Sequence, residues 1–253
     1  MKIVCFETGG TIQYGILEDN AINRIDGDPF TDEIDATGMM FNLDAVRLLP
    51  PCQPSKVVAL GVNYKSHGDE MNSKLPEEPL IFIKPSTSVI GPGEDIIYPP
   101  SSERVDYEGE LAVVIRDFTK DVTKEEALDH VLGYTCLNDV TARDLQARDK
   151  QWTRGKGFDT FCPLGPWIET DLSPENLRLQ TRLNGEVKQD TTTADLIFPV
   201  DVCISFISQV MTLLPGDVIA TGTTAGIGPM QPGDTVEVEI EGIGILRNQV
   251  VRL

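Results

Sequence analysis

An apolar strand that begins with two glutamates is the feature that most constrains how this chain can fold. The segment RVDYEGELAVVI spans residues 104–115 and ends in an unbroken apolar run that is typical of a buried strand. Side chains alternate between the two faces of a strand, so Glu108 and Glu110 lie on one face, roughly 6–7 Å apart. Two like charges at that distance repel each other, and burial strengthens the repulsion. This end of the strand therefore either opens to water or requires a cation that neutralises it.

A third carboxylate follows another apolar run. Asp139 comes just after VLGYTCL (131–137), where a strand is expected to end. Three carboxylates without a histidine or thiolate suit a hard cation such as Mg²⁺ or Mn²⁺, which takes oxygen ligands and keeps several waters. Its open positions could then receive a chelating substrate. The residues alone leave two alternatives, a solvated acidic strand end and a hard-metal site.

The two histidines of the chain occur in different settings. His67 follows a predicted strand in GVNYKSHGDEM and precedes Glu70 by one helical turn, so the two side chains would face each other. A carboxylate beside an imidazole raises its basicity and fixes its orientation. The pair is therefore either a catalytic dyad or an ion pair on a helix surface. His130 falls inside a predicted helix, and we expect it to be a surface or packing residue.

Lys156 is a further candidate because glycines flank it in TRGKGFDTF. Glycine allows backbone angles that other residues rarely adopt, so this loop can take an unusual shape. From the residues alone, Lys156 is either an ordinary surface lysine or a cation held close to a site.

The chain divides into a short N-terminal segment and a larger, mainly β unit. Residues 1–50 have the alternation and turns of short strands, and the proline-rich LLPPCQPSK (48–56) is typical of a linker. We therefore predict a small N-terminal β-rich domain with its linker at residues 1–56 and a catalytic domain at residues 57–253. Strand-like runs that do not alternate regularly with helices favour an α+β class that is mainly β, with a barrel-like or curled sheet and a few peripheral helices.

Local signals predict two helices and one hairpin. Thr123 and Glu126 have the spacing of a capping box, and Gly133 could end the helix that begins there. Apolar residues at helical spacing in DVCISFISQVMTLL (201–214) predict the second helix. The dipeptide Asn184-Gly185 is a strong signal for a two-residue hairpin turn.

Composition and charge exclude several classes of function. The formal net charge of −19 argues against a nucleic-acid partner, because phosphate binding needs clustered Lys and Arg. No apolar run approaches the roughly 20 residues of a membrane span, and the first residues lack a signal-peptide pattern. The five cysteines are scattered and form no CxxC pair, which fits a reducing cytoplasm and argues against a zinc-cysteine site. We expect a cytoplasmic protein without a membrane partner.

Four segments together resemble the fumarylacetoacetate hydrolase family, in its bacterial type with a small N-terminal domain. They are GVNYKSHGDE, DYEGELAVVI, GYTCLNDVTARDLQARDKQWTRGKGFDTFCPLGPWI and PGDVIATGTTAGIG, and their order and spacing agree with the family. The resemblance runs from about Val57 to the C-terminus. It implies a mixed β-sandwich roll with peripheral helices around a deep metal pocket, usually assembled as a homodimer.

The resemblance also implies roles for individual residues. The family's ligands for one divalent cation, Mg²⁺ or Mn²⁺ (Ca²⁺ in a crystal), match Glu108, Glu110 and Asp139. Its catalytic residues match the dyad His67 and Glu70 and the pocket lysine Lys156. The positions that line its substrate site match Arg143, Gln146 and Thr223.

Two positions depart from the family's pattern. Thr224 stands where the glycine-rich loop commonly carries a proline, and we expect this change to loosen the loop. Val62 lies where some relatives carry a basic residue, so a substrate group that needs such a charge is not expected here.

The activity that the resemblance implies is metal-dependent chemistry on an anionic 2-oxo or 2,4-dioxo acid, with C–C bond hydrolysis of an acylpyruvate-type substrate as the expected reaction. Lys156 would stabilise the developing oxyanion, and His67, oriented by Glu70, would activate water. Residues 71–80 are expected to form a lid over the pocket.

Other outcomes remain open at this point. An oxaloacetate-type substrate would be decarboxylated, and 2-hydroxyhepta-2,4-diene-1,7-dioate or 5-carboxymethyl-2-hydroxymuconate would be isomerised, after the same first step. A catalytically silent metal-binding protein would need only the acids, whereas His67, Glu70 and Lys156 are all present. A cupin-like binding module would normally need histidine ligands that this chain cannot supply.

We expect a homodimer in solution, because the resemblance implies one and because the chain has many apolar strands. Light scattering at micromolar concentration should give about twice the chain mass of 27.8 kDa. A measured mass equal to that of a single chain would contradict this expectation.

Overall fold

The computed structural model describes residues 1–70 and 75–253, without the side chains of His67, Asp69 and Glu70. The N-terminal strands are β1 (Lys2–Thr8), β2 (Thr11–Glu18), β3 (Ala21–Asp26), β4 (Asp35–Asn42) and β5 (Arg47–Leu48). The following strands are β6 (Lys56–Gly61), β7 (Leu80–Pro85), β8 (Val89–Ile90), β9 (Asp95–Ile97), β10 (Val105–Tyr107), β11 (Gly109–Ile115), β12 (Val131–Asn138), β13 (Thr141–Ala142), β14 (Cys162–Glu169), β15 (Arg178–Leu183), β16 (Glu186–Thr192), β17 (Val218–Thr223), β18 (Gly228–Met230), β19 (Thr235–Ile240) and β20 (Gly244–Val251).

Helices are few and short by comparison. The α-helices of the described residues are α1 (Lys65–Glu70), α2 (Arg143–Asp149), α3 (Thr153–Lys156) and α4 (Val200–Val210). Single turns of 3₁₀ helix occur at Leu43–Ala45, Ser86–Ser88, Ala127–His130 and Thr193–Asp195. Within the described part of the chain, no helix is both long and apolar enough to cross a membrane.

The strands form one large mixed sheet and two smaller sheets. The large sheet has twelve strands and runs β4-β3-β2-β1-β14-β12-β11-β17-β6-β7, with β5 attached to β1 and β8 to β14. The second sheet runs β16-β15-β19-β20-β9, and the third runs β13-β10-β18. Most neighbours are antiparallel, whereas β6 and β17 are parallel. The prediction of a mainly β fold with peripheral helices is confirmed.

Strand β11 lies in the middle of the large sheet and is buried on both faces. Leu111, Val113 and Ile115 belong to a core that also contains residues of α4 and of the second sheet. Ala112 and Val114 belong to a separate core on the opposite face. Apolar cover on both sides explains why this strand has an almost continuous apolar sequence.

The N-terminal strands extend the large sheet. Strand β1 pairs with β14, with Lys2 opposite Glu169 and Ile3 opposite Ile168. Where the proline-rich segment ends, the buried carboxylate of Asp217 accepts hydrogen bonds from the backbone N–H of Ser55, at 3.0 Å, and from its hydroxyl, at 2.7 Å. The division at residue 56 stays a prediction, but the two parts share a sheet and are joined by hydrogen bonds to the buried Asp217.

The helix predicted from residue 123 to residue 133 is wrong. Glu126 does accept hydrogen bonds from the backbone and hydroxyl of Thr123, but only the 3₁₀ turn Ala127–His130 follows. Strand β12 then begins at Val131, because its apolar residues pair with β11 on one side and with β14 on the other. Pairing across the sheet therefore outweighs the local helix signal. His130 lies at the end of the turn, where its Nδ1 contacts Asp117 at 2.5 Å.

The other two local predictions hold. The predicted second helix corresponds to α4, which follows Pro199 and ends at Val210. The hairpin between β15 and β16 turns at Asn184 and Gly185, which have positive φ angles of 52° and 82°. Such angles are required at both central positions of a type I′ turn.

The side chain of Asn63 anchors the loop that follows β6, and its replacement tests this role. Its side chain is fully buried, donates to the carbonyls of Thr221 (2.8 Å) and Phe198 (3.1 Å), and accepts from the N–H of Phe198 (2.8 Å). Asn63→Ala should lower the free energy of unfolding by about 1–3 kcal/mol or more, because buried backbone groups lose their partners. Urea denaturation measures this change, and Asn20→Ala, at an exposed position, is the matched control. Equal effects of the two substitutions would contradict this assignment.

Candidate metal centre and active site

The three predicted metal ligands come together where β11 begins and β12 ends. Gly109 pairs with Asn138, and the backbone N–H of Asp139 donates to the carbonyl of Glu108 at 2.8 Å. One carboxylate oxygen from each of Glu108, Glu110 and Asp139 lies within 4.8 Å of the others. All three side chains are buried, with relative exposures of 5%, 1% and 1%. Of the two alternatives for this strand end, the structure therefore excludes solvation by water.

Positively charged side chains surround the three acids. The ammonium of Lys156 lies 2.8 Å from Glu108 Oε2 and 2.5 Å from Asp139 Oδ2. The guanidinium of Arg143 donates to the other oxygen of Glu108. Lys156 is itself only 3% exposed, so it is a buried cation of the site and not a surface lysine.

Lys84 is a residue of this site that the sequence analysis missed. It is fully buried, and its ammonium contacts Asp139 Oδ1 at 2.5 Å and the carbonyl of Val140 at 3.2 Å. Its signal in the sequence is a lysine inside the apolar run LIFIKP (80–85). A lysine in a buried strand needs a carboxylate partner, but β7 is separated from β12 by three strands, so only the three-dimensional fold identifies Asp139 as that partner.

The electrostatic environment shifts the pKa values of the two glutamates in opposite directions. Burial disfavours the charged form of Glu108, but Lys156 and Arg143 outweigh that effect and lower its pKa to about 2. Burial, reinforced by the nearby Asp139 carboxylate, raises the pKa of Glu110 well above its usual range. Burial would also lower the pKa of Lys156, but Asp139 and Glu108 reverse this and raise it. Glu110 is thus the carboxylate whose negative charge is least compensated by the protein.

The residues present fit a hard divalent cation. The donor set consists of three buried carboxylates, the type of ligand that Mg²⁺ and Mn²⁺ prefer. In the described part of the chain no cationic side chain pairs with Glu110, which accepts a hydrogen bond from the backbone N–H of Gly222 at 2.7 Å. A divalent ion held by these oxygens would supply the compensating charge that Glu110 lacks.

A cavity of about 300 Å³ adjoins the acids and contains all three residues expected to contact the substrate. Arg143 donates to Gln146 Oε1 at 2.7 Å and to the buried Asp106 at 2.9 Å, which fixes the direction of the guanidinium. The hydroxyl of Thr223 donates to the carbonyl of Gly109 at 3.0 Å and accepts from Gln189 at 2.9 Å. Gln189, which is buried, was also missed, because only the hairpin β15–β16 brings it here.

Helix α1 carries the predicted dyad, but the side chains of His67 and Glu70 lie outside the described residues. The start of this helix is held by Ser66, whose hydroxyl is 2.7 Å from Asp195 Oδ2 and 3.0 Å from the hydroxyl of Thr224. Thr224 thus ties the glycine-rich loop to α1, and its carbonyl accepts a bond from Gln189 at 2.9 Å. Of the predicted lid, residues 71–74 also lie outside the described part.

The variant Glu110→Gln should bind metal more weakly without a loss of stability in the absence of metal. The substitution keeps the shape but replaces a carboxylate ligand with an uncharged amide, so affinity for Mn²⁺ should fall by more than about 100-fold, a larger loss than outer-shell partners cause. The variant should unfold at an equal or higher temperature without metal, because burying the uncompensated carboxylate destabilises the fold.

Calorimetry and thermal unfolding measure the two effects, and the exposed Glu103→Gln is the matched control. In the wild type and the control, Mn²⁺ at 100 times its dissociation constant should stabilise the fold by roughly 2.7 kcal/mol. Unchanged Mn²⁺ affinity in Glu110→Gln would overturn the site.

Comparison with known proteins agrees with this geometry. Residues 56–251 match the family model "Fumarylacetoacetate (FAA) hydrolase C-terminal", and residues 1–51 match "Rv2993c-like, N-terminal". The human mitochondrial oxaloacetate tautomerase FAHD2A is 45% identical over 216 residues, which cover 81% of this chain and 69% of that protein.

Solved structures superpose over the whole chain. The 5-carboxymethyl-2-hydroxymuconate delta-isomerase of Mycobacterium smegmatis has a TM-score of 0.95 at 45% identity and covers 100% of both chains. The maleylpyruvate hydrolase of Sphingobium sp. SYK-6, in complex with manganese(II) and pyruvate, has a TM-score of 0.83 at 30% identity and covers 100% of this chain and 99% of its own. The fold, the acidic triad and these matches lead to one conclusion: the chain belongs to the fumarylacetoacetate hydrolase family.

Proposed function

We propose that this chain is a divalent-metal-dependent enzyme that converts small 2-oxo or 2,4-dioxo acids through their enolates, with C–C bond hydrolysis of an acylpyruvate-type substrate as its reaction. The proposal rests on one arrangement of buried charged side chains. Three buried carboxylates that suit a hard cation adjoin two cationic side chains, Lys156 and Arg143, and these two cations line a cavity of about 300 Å³ together with Glu108. Such a cavity holds a small anion beside the metal ligands.

Charge balance supports an anionic substrate in spite of the net charge of −19. Lys84, Arg143 and Lys156 each contact one or two of the three metal-binding carboxylates. With a divalent ion in place, the group would have a surplus of two positive charges. A positive pocket within a negative surface focuses anions toward the site.

The substrate's 1-carboxylate and 2-oxo group offer two neighbouring oxygens that can chelate a hard cation. A divalent cation supplies Lewis-acid stabilisation of the negative charge that develops on the 2-oxo oxygen. Lys156, whose ammonium lies within 2.8 Å of Glu108 and 2.5 Å of Asp139, places a second positive charge beside that oxygen. Arg143 and Gln146 orient the carboxylate of the substrate.

Hydrolysis further requires an activated water, and this role falls to His67 with Glu70. The start of α1 is bound through Ser66 to Thr224, next to the cavity residue Thr223, so the helix that carries the pair adjoins the cavity. His67, oriented by Glu70, would remove a proton from water as it attacks the remote carbonyl at C4. Collapse of the resulting adduct would break the C3–C4 bond, releasing the acyl part as a carboxylic acid and the other part as the enolate of pyruvate, which takes up a proton at C3. The structural relative crystallised with manganese and pyruvate is itself named a hydrolase.

A second candidate is isomerisation or tautomerisation of the same class of acid. The relatives at 45% identity are named as an oxaloacetate tautomerase and a hydroxymuconate isomerase. These reactions need the enolate and its reprotonation at another atom, but no attack by water. Decarboxylation of an oxaloacetate-type acid remains a third outcome of the same enolate. A silent metal-binding protein would have no use for the pair His67 and Glu70 on α1.

We also propose a reducing, cytoplasmic location and a homodimer. All five cysteines are free and buried, which suits a compartment that keeps thiols reduced. The homodimer rests on the family membership.

The variant His67→Ala should slow the attack of water on the substrate much more than the formation of the enolate. Hydrolysis of an acylpyruvate should fall by about 10²–10⁴-fold, the usual contribution of a positioned general base. Exchange of the substrate's C3 protons in heavy water, followed by NMR, should fall less because Lys156 and the acidic triad remain. Metal affinity, measured by calorimetry, should stay near that of the wild type.

The chain offers a matched control in His130→Ala, since the side chain of this other histidine pairs with Asp117 and is not among the residues of the site cavity. Hydrolysis in His67→Ala at the rate of this control would contradict the role of His67 as a base. Assays of the wild type with acylpyruvates, oxaloacetate and hydroxymuconate-type dienoates decide between the reactions. Turnover of a dienoate without hydrolysis of any acylpyruvate would favour the isomerase.

A further inference from the structure

Two cavities meet at one pair of aromatic rings. The site cavity of about 300 Å³ and a neighbouring groove of about 740 Å³ both have Phe82 and Trp152 in their walls. The two rings pack edge to face, with their centroids 5.1 Å apart and their planes at 78°. The pair therefore forms a common wall, which we call the aromatic partition, between the site cavity and the groove.

The partition is held from several sides. A Cβ atom at Gly61 would lie 2.6 Å from the ring of Trp152, so the ring packs directly against the backbone of β6. The ammonium of Lys156 lies 5.2 Å from the centroid of the Phe82 ring. The carbonyl of Trp152 also accepts the backbone N–H of Lys156 at 2.9 Å. The position of Trp152 is thus coupled to the cationic end of the site.

The remaining walls of the site cavity are mainly apolar. Arg143 and Lys156 supply the positive charges among the cavity residues, and Leu60, Val62 and Ala147 supply apolar surface beside the two rings. Val62 has a positive φ of 49°, which is strained for a β-branched residue. Because the partition adjoins Lys156, an acid bound at the cations would have its tail bounded by these apolar side chains and by the two rings.

The groove beyond the partition is also apolar. It follows the edge strand β7, where Leu80 and Ile83 are 49% and 44% exposed, and it extends to Met211. A hydrocarbon tail could be buried there, but the two rings stand between the groove and the site.

We infer that the aromatic partition limits the length of the substrate's tail and that Trp152 is the residue that sets this limit. The inference rests on the proposed function, because it concerns the tail of a 2-oxo or 2,4-dioxo acid bound at the acidic triad. The wild-type site takes acids with a short, uncharged tail. A smaller residue at position 152 joins the site cavity to the groove and admits longer apolar tails.

The test compares Trp152→Ala with the wild type on acylpyruvates whose unbranched tails lengthen from methyl to heptyl. In the wild type, kcat/KM should fall once the tail reaches the partition. Each methylene buried in the groove contributes about fourfold, so the ratio of kcat/KM for long over short tails should rise at least about tenfold in the variant. Trp152→Phe, which keeps a ring, should retain the wild-type length profile.

A second substitution shows where the tail lies. Ile83→Ser, made in the Trp152→Ala background, places a hydroxyl in the groove and should reduce the gain for long tails only. Calorimetric binding of saturated 2-oxo acids of increasing length, in the presence of Mn²⁺, should give the same preference without turnover. If Trp152→Ala lacks the near-ultraviolet dichroism of a folded protein, Trp152→Leu replaces it.

The outcomes distinguish this inference from the proposed function. If the wild type neither binds nor converts any acid of the series, the proposed function fails. If the wild type converts the short members and Trp152→Ala has the same length profile, the partition does not set the limit and the inference is overturned. A rise for long tails that Ile83→Ser leaves intact would also overturn it, since the tail would then lie outside the groove.

Discussion

Ion pairing inside the large sheet is the interaction on which the rest of the site depends. Glu108, Glu110 and Asp139 are buried at one end of two central strands, where ionised carboxylates without partners would be strongly destabilising. Their cationic partners come from three different elements, namely Lys84 from β7, Arg143 from α2 and Lys156 from α3. The acidic end of β11 is therefore stable only when the edge strand and both short helices are in place. The stability of this end of the large sheet and the assembly of the site are therefore energetically coupled.

Close backbone packing explains why the two glutamates are separated by a glycine. A Cβ atom at Gly109 would lie 2.1 Å from Thr181 Oγ1, so any larger residue would push the second sheet away from β11. The N–H of Gly109 donates to Gln189 at 3.0 Å, and its carbonyl accepts from Thr223 at 3.0 Å. Gly222 is constrained in a comparable way, since its φ of +94° points its N–H at Glu110. The spacing of the acids is therefore set by contacts of the backbone between them.

The sequence predicts those parts of the site that depend on a single strand. Alternation along the predicted strand gave the shared face of Glu108 and Glu110, although Glu108 lies between β10 and β11, and the end of an apolar run gave Asp139. Lys84 was not identified because its partner is 55 residues away and follows a strand that does not pair with β7. The helix predicted after Thr123 failed for the same reason, since pairing of Val131 and its neighbours with two strands decided the conformation. Residues whose role depends on non-local pairing are the ones that local patterns cannot assign.

The departure from the family's pattern at Thr224 shows how a different residue can hold the same loop. A proline would restrict the backbone there, whereas Thr224 offers a hydroxyl, which lies 3.0 Å from that of Ser66. Ser66 is in turn bound to Asp195, so α1, the glycine-rich loop and the segment after β16 are joined in one chain of hydrogen bonds. A proline has no hydroxyl and could not make the contact with Ser66. Threonine at this position therefore gives up a local restriction of the backbone and gains a contact between the glycine-rich loop and α1, the helix that carries His67. A shift of either element would move the other.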